Sequence, residues 1–599
     1  MAANIKVKVS GSLYLPWILV KEKEKLNTKF TAMISVKAPP SVHSDALIPI
    51  HLVVVVDVWK GTIDDLLKTM KFISGVFNED ADKDQICVVD ACEFKNKKLT
   101  IIDSWITHAR ENQINYVPES GTDLRLLLGR AVEILDNKSD GAKRAGFILL
   151  LSDGGSQQKF DDSSMNELFK VLGSKYPVHI FDLDSRHDPE MLHCIAKRSR
   201  GTYSSIDNSN NNNKLMEAVA ICLGGLKSVV AINTRVRMSV KRDDTNPDSE
   251  SNISSHFKIK IQPGDHDISG SKEGFLVGDG VLYAGEVKDL IVDINFSTIC
   301  ISSRTRSATL TATVEYEDSS SSLKQAAKCI LRLLVTGTHN VPAMTAYKEW
   351  EQLLPNSMVL QRMIMLEVLE KLIDATTTKT AKKQMTGKKI TTGEELRSMW
   401  RNLKKDGEYL KKVVAKNEEN SDLLDLQWID NDIEAMASCL DEKGLGLGHI
   451  YSWVSRYQMQ RATTTGLPQP TKTPFLTLDM EKMVDRAKNY ELPIQEQEDA
   501  GETGRKNDAP QLKAVSEEEP LEGDKCKRAL ELFKQIESRL TWYRKCPPGS
   551  SDGLVSIEKI IQQEIYEDAK QAINNWQRTT SGSGSGSGSG SQDASSKQL

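Results

Sequence analysis

The sequence predicts a doubly wound α/β domain inserted within an antiparallel β-sandwich, followed by α-helical regions. Three observations carry this reading. Between residues 48 and 226, apolar runs at 51–57, 84–90, 146–152 and 177–183 alternate with amphipathic helical patterns. On either side, in residues 4–37 and 227–337, short runs alternate apolar and polar side chains with period two. Beyond residue 340 the spacing becomes that of helices.

Strands that are apolar throughout are buried on both faces, which implies a parallel sheet covered by helices on each side. Ile63, Leu66, Leu67, Met70, Ile73 and Phe77 form one such helical face, and Leu124, Leu127, Leu128, Ala131 and Ile134 form another. Residues 98–102 read as an antiparallel edge strand after the second strand. The strands before residue 48 have no partners of their own, so they are expected to join the later sandwich. Its strands read at 229–240, 257–261, 290–296, 308–316 and 329–335. The chain ends of a doubly wound domain can lie together, which permits such an insertion.

The expected division is residues 1–46 as N-terminal sandwich strands, 47–226 as the α/β domain, 227–340 as the sandwich and 341–490 as a helical region. An acidic, disordered linker (491–525), a helical hairpin (526–579) and a flexible Ser/Gly tail (580–599) follow. The hairpin reads equally as a docking module or as a strap packing back on the body. In the helical region, residues 358–373 form a long apolar helix in which Met358, Met363 and Met365 are assigned to the core. Weaker helices read at 396–414 and 423–440, and another at 451–460 ends before Thr463.

Composition excludes several functions. The 599 residues carry a net charge of −5, which gives no reason to expect nucleic acid. No stretch approaches the roughly 18 uninterrupted apolar residues that would span a bilayer. The N-terminus lacks the apolar core of a signal peptide. Nine scattered cysteines with no Cys-x-x-Cys pair argue against a zinc module or disulfide scaffold and for a reducing, cytoplasmic or nuclear setting. Enzymatic motifs are missing. Lys60-Gly61-Thr62 lacks the rest of a phosphate loop, and Ser152-Asp153-Gly154 lacks the Gly-x-Ser-x-Gly elbow. His187, Asp188, His193 and Cys194 are assigned to a surface or helix face away from Asp57.

Asp57 ends a five-residue aliphatic run where a buried strand reaches the surface. In an open parallel sheet, ligands bind at the carboxyl ends of the strands near the switch in strand order. Asp57, the segment Ser120-Gly-Thr122-Asp123 and the segment Leu151-Ser-Asp153-Gly-Gly155 should meet there. Asp90, closing the second strand, reads as a hydrogen-bonded structural carboxylate, with a replacement ligand as the alternative.

This combination resembles the von Willebrand factor A (VWA) domain, a Rossmann-like fold. Its adhesion site holds a metal through Asp-x-Ser-x-Ser, a Thr and an Asp. The resemblance implies Asp57, Thr122 and Asp153 as ligands of a hard cation such as Mg²⁺. The first loop departs from the pattern. Trp59 stands where a Ser is expected, and Lys60 would repel a cation. A degenerate site with no cofactor is therefore the expectation, with Mg²⁺ binding as the alternative. Trp59, Lys60, Thr122 and Asp153 become the expected contact face for a protein partner, because Trp beside a cation suits an interface hot spot. Trp59 reads equally as a plug in the space a metal would fill.

Residues 201–204 followed by 220–230 look like the end of the VWA domain in a plant family, and the residues from Tyr451 to Gly466 and from Pro474 to Val484 are similar to that family's C-terminal signature. Those proteins carry a β-sandwich and a helical segment named Vwaint behind the VWA domain. The match covers roughly residues 45–490. Many relatives are RING-type ubiquitin ligases, but no zinc-binding cysteine set is present here, so that activity does not carry over. The expected function is non-catalytic protein binding, as a scaffold in plant signalling or immunity. The alternative is a regulatory or substrate-recruiting part of a ubiquitin ligase.

Overall fold

The computed structural model describes residues 6–14, 17–20, 28–40, 46–58, 63–80, 83–90, 124–137, 144–153, 162–172, 175–183, 189–206, 214–242, 257–262, 266–267, 274–296, 306–319, 325–337, 357–376, 390, 392–406, 427–441, 446–464 and 475–490. The chain divides into two compact units, Met1–Ile494 and Gln495–Leu599, and every described residue belongs to the first. The expected edge strand at 98–102, the linker, the hairpin and the tail lie outside the described residues.

Among the described residues, three strands precede the α/β unit: β1 (Lys8–Leu13), β2 (Trp17–Val20) and β3 (Thr28–Lys37). The unit itself runs β4 (Ile50–Asp57), α1 (Ile63–Asn78), β5 (Gln85–Asp90), α2 (Leu124–Asp136), β6 (Ala145–Ser152), α3 (Asp162–Leu172), β7 (Val178–Asp182), α4 (Pro189–Ser199), β8 (Tyr203–Ser205) and α5 (Lys214–Leu226). Its sheet has the order β5-β4-β6-β7-β8, with every pairing parallel. Alternation along each strand explains its two-sided burial. Leu52, Val54, Val56, Phe147, Leu149 and Leu151 pack with Met70, Ile73, Val219 and Leu223 of α1 and α5. Val53, Val55, Ile148 and Leu150 pack on the opposite face with Leu124, Leu128, Leu168 and Leu192 of α2, α3 and α4.

The chain then enters β9 (Val229–Arg242), β10 (Phe257–Gln262), β11 (His266–Asp267), β12 (Phe275–Leu276), β13 (Leu282–Tyr283), β14 (Val287–Phe296), β15 (Arg306–Glu317) and β16 (Gln325–Gly337). One sheet has the order β1-β3-β14-β10-β11, the other β12-β9-β15-β16-β2, with β13 also on β9. β3 thus pairs along its whole length with β14, from Thr28 opposite Phe296 to Lys37 opposite Val287. The chain leaves this sandwich for the α/β unit and returns beside its exit. The Ile48 amide donates to the Val229 carbonyl at 2.8 Å, so both ends of the excursion meet. Phe30, Ala32, Ile34 and Val36 face Val236, Leu310, Ala312 and Val314 across the interior.

One expectation needs correction: the sandwich is not wholly antiparallel, because β2 pairs parallel with β16. Alternating polarity reports which face a strand buries and carries no information about its direction.

Among the described residues, five helices follow: α6 (Ser357–Thr376), α7 (Gly393–Asp406), α8 (Gln427–Asp441), α9 (Leu447–Met459) and α10 (Leu478–Lys488). The cross-strand pair Met33 and Ile291 points out of the sandwich and anchors them, packing in one cluster with Leu360, Ile364, Trp400 and Trp453. Met363 and Met365 are buried as assigned, but Met358 is 63% exposed. It lies in the first turn of α6, where side chains lean toward the helix start.

The last two helices close over the α/β unit. α9 covers the edge strand β8, and Ser455 Oγ accepts the Tyr203 amide at 2.9 Å, a bond that a sheet edge otherwise leaves open. α10 lies against α5. A Cβ at Gly224 would come within 2.6 Å of Met480 Cα and 2.7 Å of the Asp479 carbonyl oxygen, so that approach requires glycine. Gly224→Ala is expected to force the helices apart and cost about 1–3 kcal/mol, read as a lower urea midpoint.

Candidate functional site at the carboxyl edge of the parallel sheet

The order β5-β4-β6-β7-β8 reverses between β4 and β6, because the chain passes from β5 to the opposite side of β4. The carboxyl ends of β4 and β6 therefore flank the crevice where open α/β sheets bind ligands. Acidic side chains end the strands there. Asp57, Asp90, Asp153 and Asp182 are all buried, Asp57 fully. Asp57 lies in register with Ser152, and Asp90 opposite Val56. Ser152 Oγ donates to Asp57 Oδ2 at 2.9 Å, while the Asp153 amide donates to the Asp57 carbonyl oxygen at 3.2 Å. Asp182 accepts the Tyr203 hydroxyl in a short bond. Burial and the neighbouring Asp182 charge push that phenol far above its ordinary pKa, so it stays a donor.

The structure brings Asp57 and Asp153 together. Trp59, Lys60 and Thr122 lie outside the described residues. Among those described, no group of three or more His, Cys, Asp or Glu side chains is placed to hold a metal ion. A hard cation takes six or more oxygen ligands. One Asp57 oxygen already accepts from Ser152.

The parallel sheet, its flanking helices and the acidic strand ends coincide with a family match. Residues 96–205 match the family model for the von Willebrand factor type A domain. The α/β unit has the VWA fold. Among solved structures, the chain is similar to a von Willebrand factor type A protein from Catenulispora acidiphila, at 12% identity and a TM-score of 0.39, covering 63% of this chain and 84% of that one. It is also similar to the open form of the pilus adhesin SpaC from Lactobacillus rhamnosus GG, at 10% identity and a TM-score of 0.24, covering 54% and 47%. A third similarity is to the pilus adhesin RrgA from Streptococcus pneumoniae, at 9% identity and a TM-score of 0.20, covering 55% and 66%. At these scores the likenesses carry nothing about function to this chain. No curated protein matches it significantly.

A second constellation, which the sequence did not reveal, lies where the VWA domain, the sandwich and the end of α9 meet. Arg461 is 2% exposed and sits among Asp279, Glu286 and Lys288. Its Nε donates to Glu286 Oε1 at 2.8 Å, one terminal nitrogen pairs with Asp279, and the other donates to the Val281 carbonyl at 2.8 Å. The guanidinium also lies 3.9 Å from the Tyr283 ring centroid. Burial opposes the Arg461 charge, but Asp279 and Glu286 outweigh it and hold its pKa well above the usual value. Burial likewise opposes ionised Glu286, yet Arg461 and Lys288 keep that carboxyl below its usual range. Lys288 donates to the Met459 and Gln460 carbonyls that end α9. Burial lowers its pKa to about 8, partly offset by Glu286.

Lone basic residues after a helix usually read as solvated, so Arg461 gave no separate signal. A usable signal existed in α5, which is apolar nearly all round between Leu215 and Leu226. A helix of that kind must be covered on both sides. His193 lies on a helix face, in α4, as expected, and that face is turned inward. Its ring is buried, stacking on Tyr451 of α9 at 4.7 Å between centroids and meeting Tyr203 edge-on. The helix position was legible, but its packing partner lies some 250 residues away in sequence.

Burial lowers the pKa of both His179 and His193 to about 3, with Arg461 adding to the effect on His179 and Lys197 on His193. In the unfolded chain each titrates near 6.5. The unfolded state therefore binds more protons below pH 6.5, and stability present above that pH is lost progressively toward pH 3. The urea midpoint is expected to fall between pH 7 and pH 5, a window above ordinary carboxyl titration. His193→Phe, which keeps the stacking, should show a smaller fall over the same window.

Proposed function

We propose that this chain is a non-catalytic protein-binding scaffold whose VWA domain presents its carboxyl edge to a protein partner, without a bound metal. The observation that carries the reading is the state of Asp57. Its carboxylate is fully buried and already accepts Ser152 Oγ, so it holds the β4 and β6 ends together within the fold. The contact surface in this reading comprises Trp59, Lys60, Thr122 and Asp153 around that edge. The opposite flank of the sheet is less suited to a partner, because α9 already covers β8.

In this reading the chain is kin to the plant proteins that join a VWA domain to a Vwaint segment. Support comes from the two C-terminal segments behind that resemblance, residues 451–466 and 474–484. Tyr451, Trp453, Arg461, Thr477 and Met480 are all buried at or near the domain junctions. Any role in ubiquitin transfer would require a partner to supply the RING.

Calorimetric titration of the full chain with Mg²⁺ and Mn²⁺ should show no saturable binding. Saturable binding abolished by Asp57→Ala would replace this reading with a metal-dependent one. In affinity purification, Trp59→Ala combined with Lys60→Ala should lose partners that the unchanged chain retains. An identical partner set from both proteins would remove the proposed contact face.

A further inference from the structure

A small cavity lies beside the Arg461 network, at the meeting point of the three parts of the unit. It is lined by His179 and Thr202 of the VWA domain, Cys222 of α5, Tyr283 of the sandwich, and Arg461 and Ala462 after α9. Its volume is about 10 Å³, taken as the space open to the centre of a water-sized sphere. That is close to the minimum a single water needs, and it leaves no room for an organic ligand.

Two of the lining side chains carry polar atoms with unmet demand. His179 is 1% exposed and Tyr283 is 2% exposed. His179 Nε2 and the Tyr283 hydroxyl are buried and have no hydrogen-bond partner among the described residues. His179 Nδ1 is engaged, lying 2.9 Å from Thr202 Oγ1. An unsatisfied buried polar group is destabilising. Both residues line one cavity of this size, and together they suit a ligand that can both donate and accept.

We infer that this cavity is a binding site for one ordered water, held by His179 Nε2 and the Tyr283 hydroxyl, that joins the VWA domain to the sandwich. The choice of water over an anion follows from the neighbouring charges. Arg461 Nε and both terminal nitrogens already donate to two carboxylates and a carbonyl, so most of the donor capacity of the guanidinium is committed. Asp279 and Glu286 balance Arg461 and Lys288 in number, so these four groups together carry no net charge that would favour chloride. Water also serves either tautomer of His179. It accepts if Nε2 carries the proton and donates if Nδ1 does.

Two measurements on the full chain test the site. A crystal structure at a resolution that shows ordered solvent, with a bromide-soaked counterpart, should contain one peak within hydrogen-bond distance of His179 Nε2. That peak should have no anomalous signal. A cavity without density, or an anomalous bromide peak in it, overturns the inference. Oxygen-17 relaxation dispersion counts long-lived internal waters in solution. Ala462→Val, which fills the cavity while leaving both polar groups in place, should lower that count by one. An unchanged count in the folded variant contradicts the inference, and if the variant does not fold the crystallographic result decides.

Discussion

The buried charge network around Arg461 is the constraint on which the rest of the described structure depends. Four ionised side chains, Arg461, Lys288, Glu286 and Asp279, lie together at exposures of no more than 3%. Desolvating them is costly, and only near-complete pairing offsets that cost. The pairing requires parts of the chain that are far apart in sequence. The carboxylates belong to the sandwich, the guanidinium follows α9, and Lys288 of β14 reaches the carbonyls that end that helix. Gln460 completes the join in a left-handed conformation (φ 50°), its side-chain amide bonded to the Asp289 amide at 2.8 Å and carbonyl at 3.0 Å. That strained position for a non-glycine residue persists because its surroundings fix it.

Once the end of α9 is pinned, the VWA domain is no longer free to act as a detached module. α9 then lies along β8 with Ser455 bonded to the strand edge and Tyr451 stacked on His193. α10 follows against the Gly224-Gly225 surface of α5, while Arg486 reaches Glu79 beyond α1. Two flanks of the domain are thus taken up inside the molecule. The carboxyl edge, with Asp57, Asp90, Asp153 and Asp182 at the strand ends, is held from below by a rigid frame. A frame of that kind suits recognition by direct contact, since little ordering remains to be done on binding.

Much of this architecture was legible in the sequence, and the remainder was not for identifiable reasons. The α/β strands were visible because burial on both faces leaves wholly apolar runs such as Leu52 to Val56. The strand ends were visible because Asp57 and Asp153 stand where such runs meet turns. The parallel pairing of β2 was hidden, since period-two alternation says nothing of direction. Buried Arg461 and Lys288 were hidden because one chain cannot show which partners will neutralise a cation. Of the five site residues, Asp57 and Asp153 converge at one crevice, while Trp59, Lys60 and Thr122 lie outside the described residues.

Through these contacts the Arg461 network makes the VWA domain and the sandwich a single cooperative unit. Native-state hydrogen exchange on the full chain, with and without Arg461→Met, tests it most directly. Removing one partner from a buried ion pair costs about 3–5 kcal/mol. The amides of Tyr203 in β8 and of Leu290 to Ile294 in β14 should then lose protection together, by similar amounts. Loss confined to β14, with the Tyr203 amide as protected as before, would contradict it.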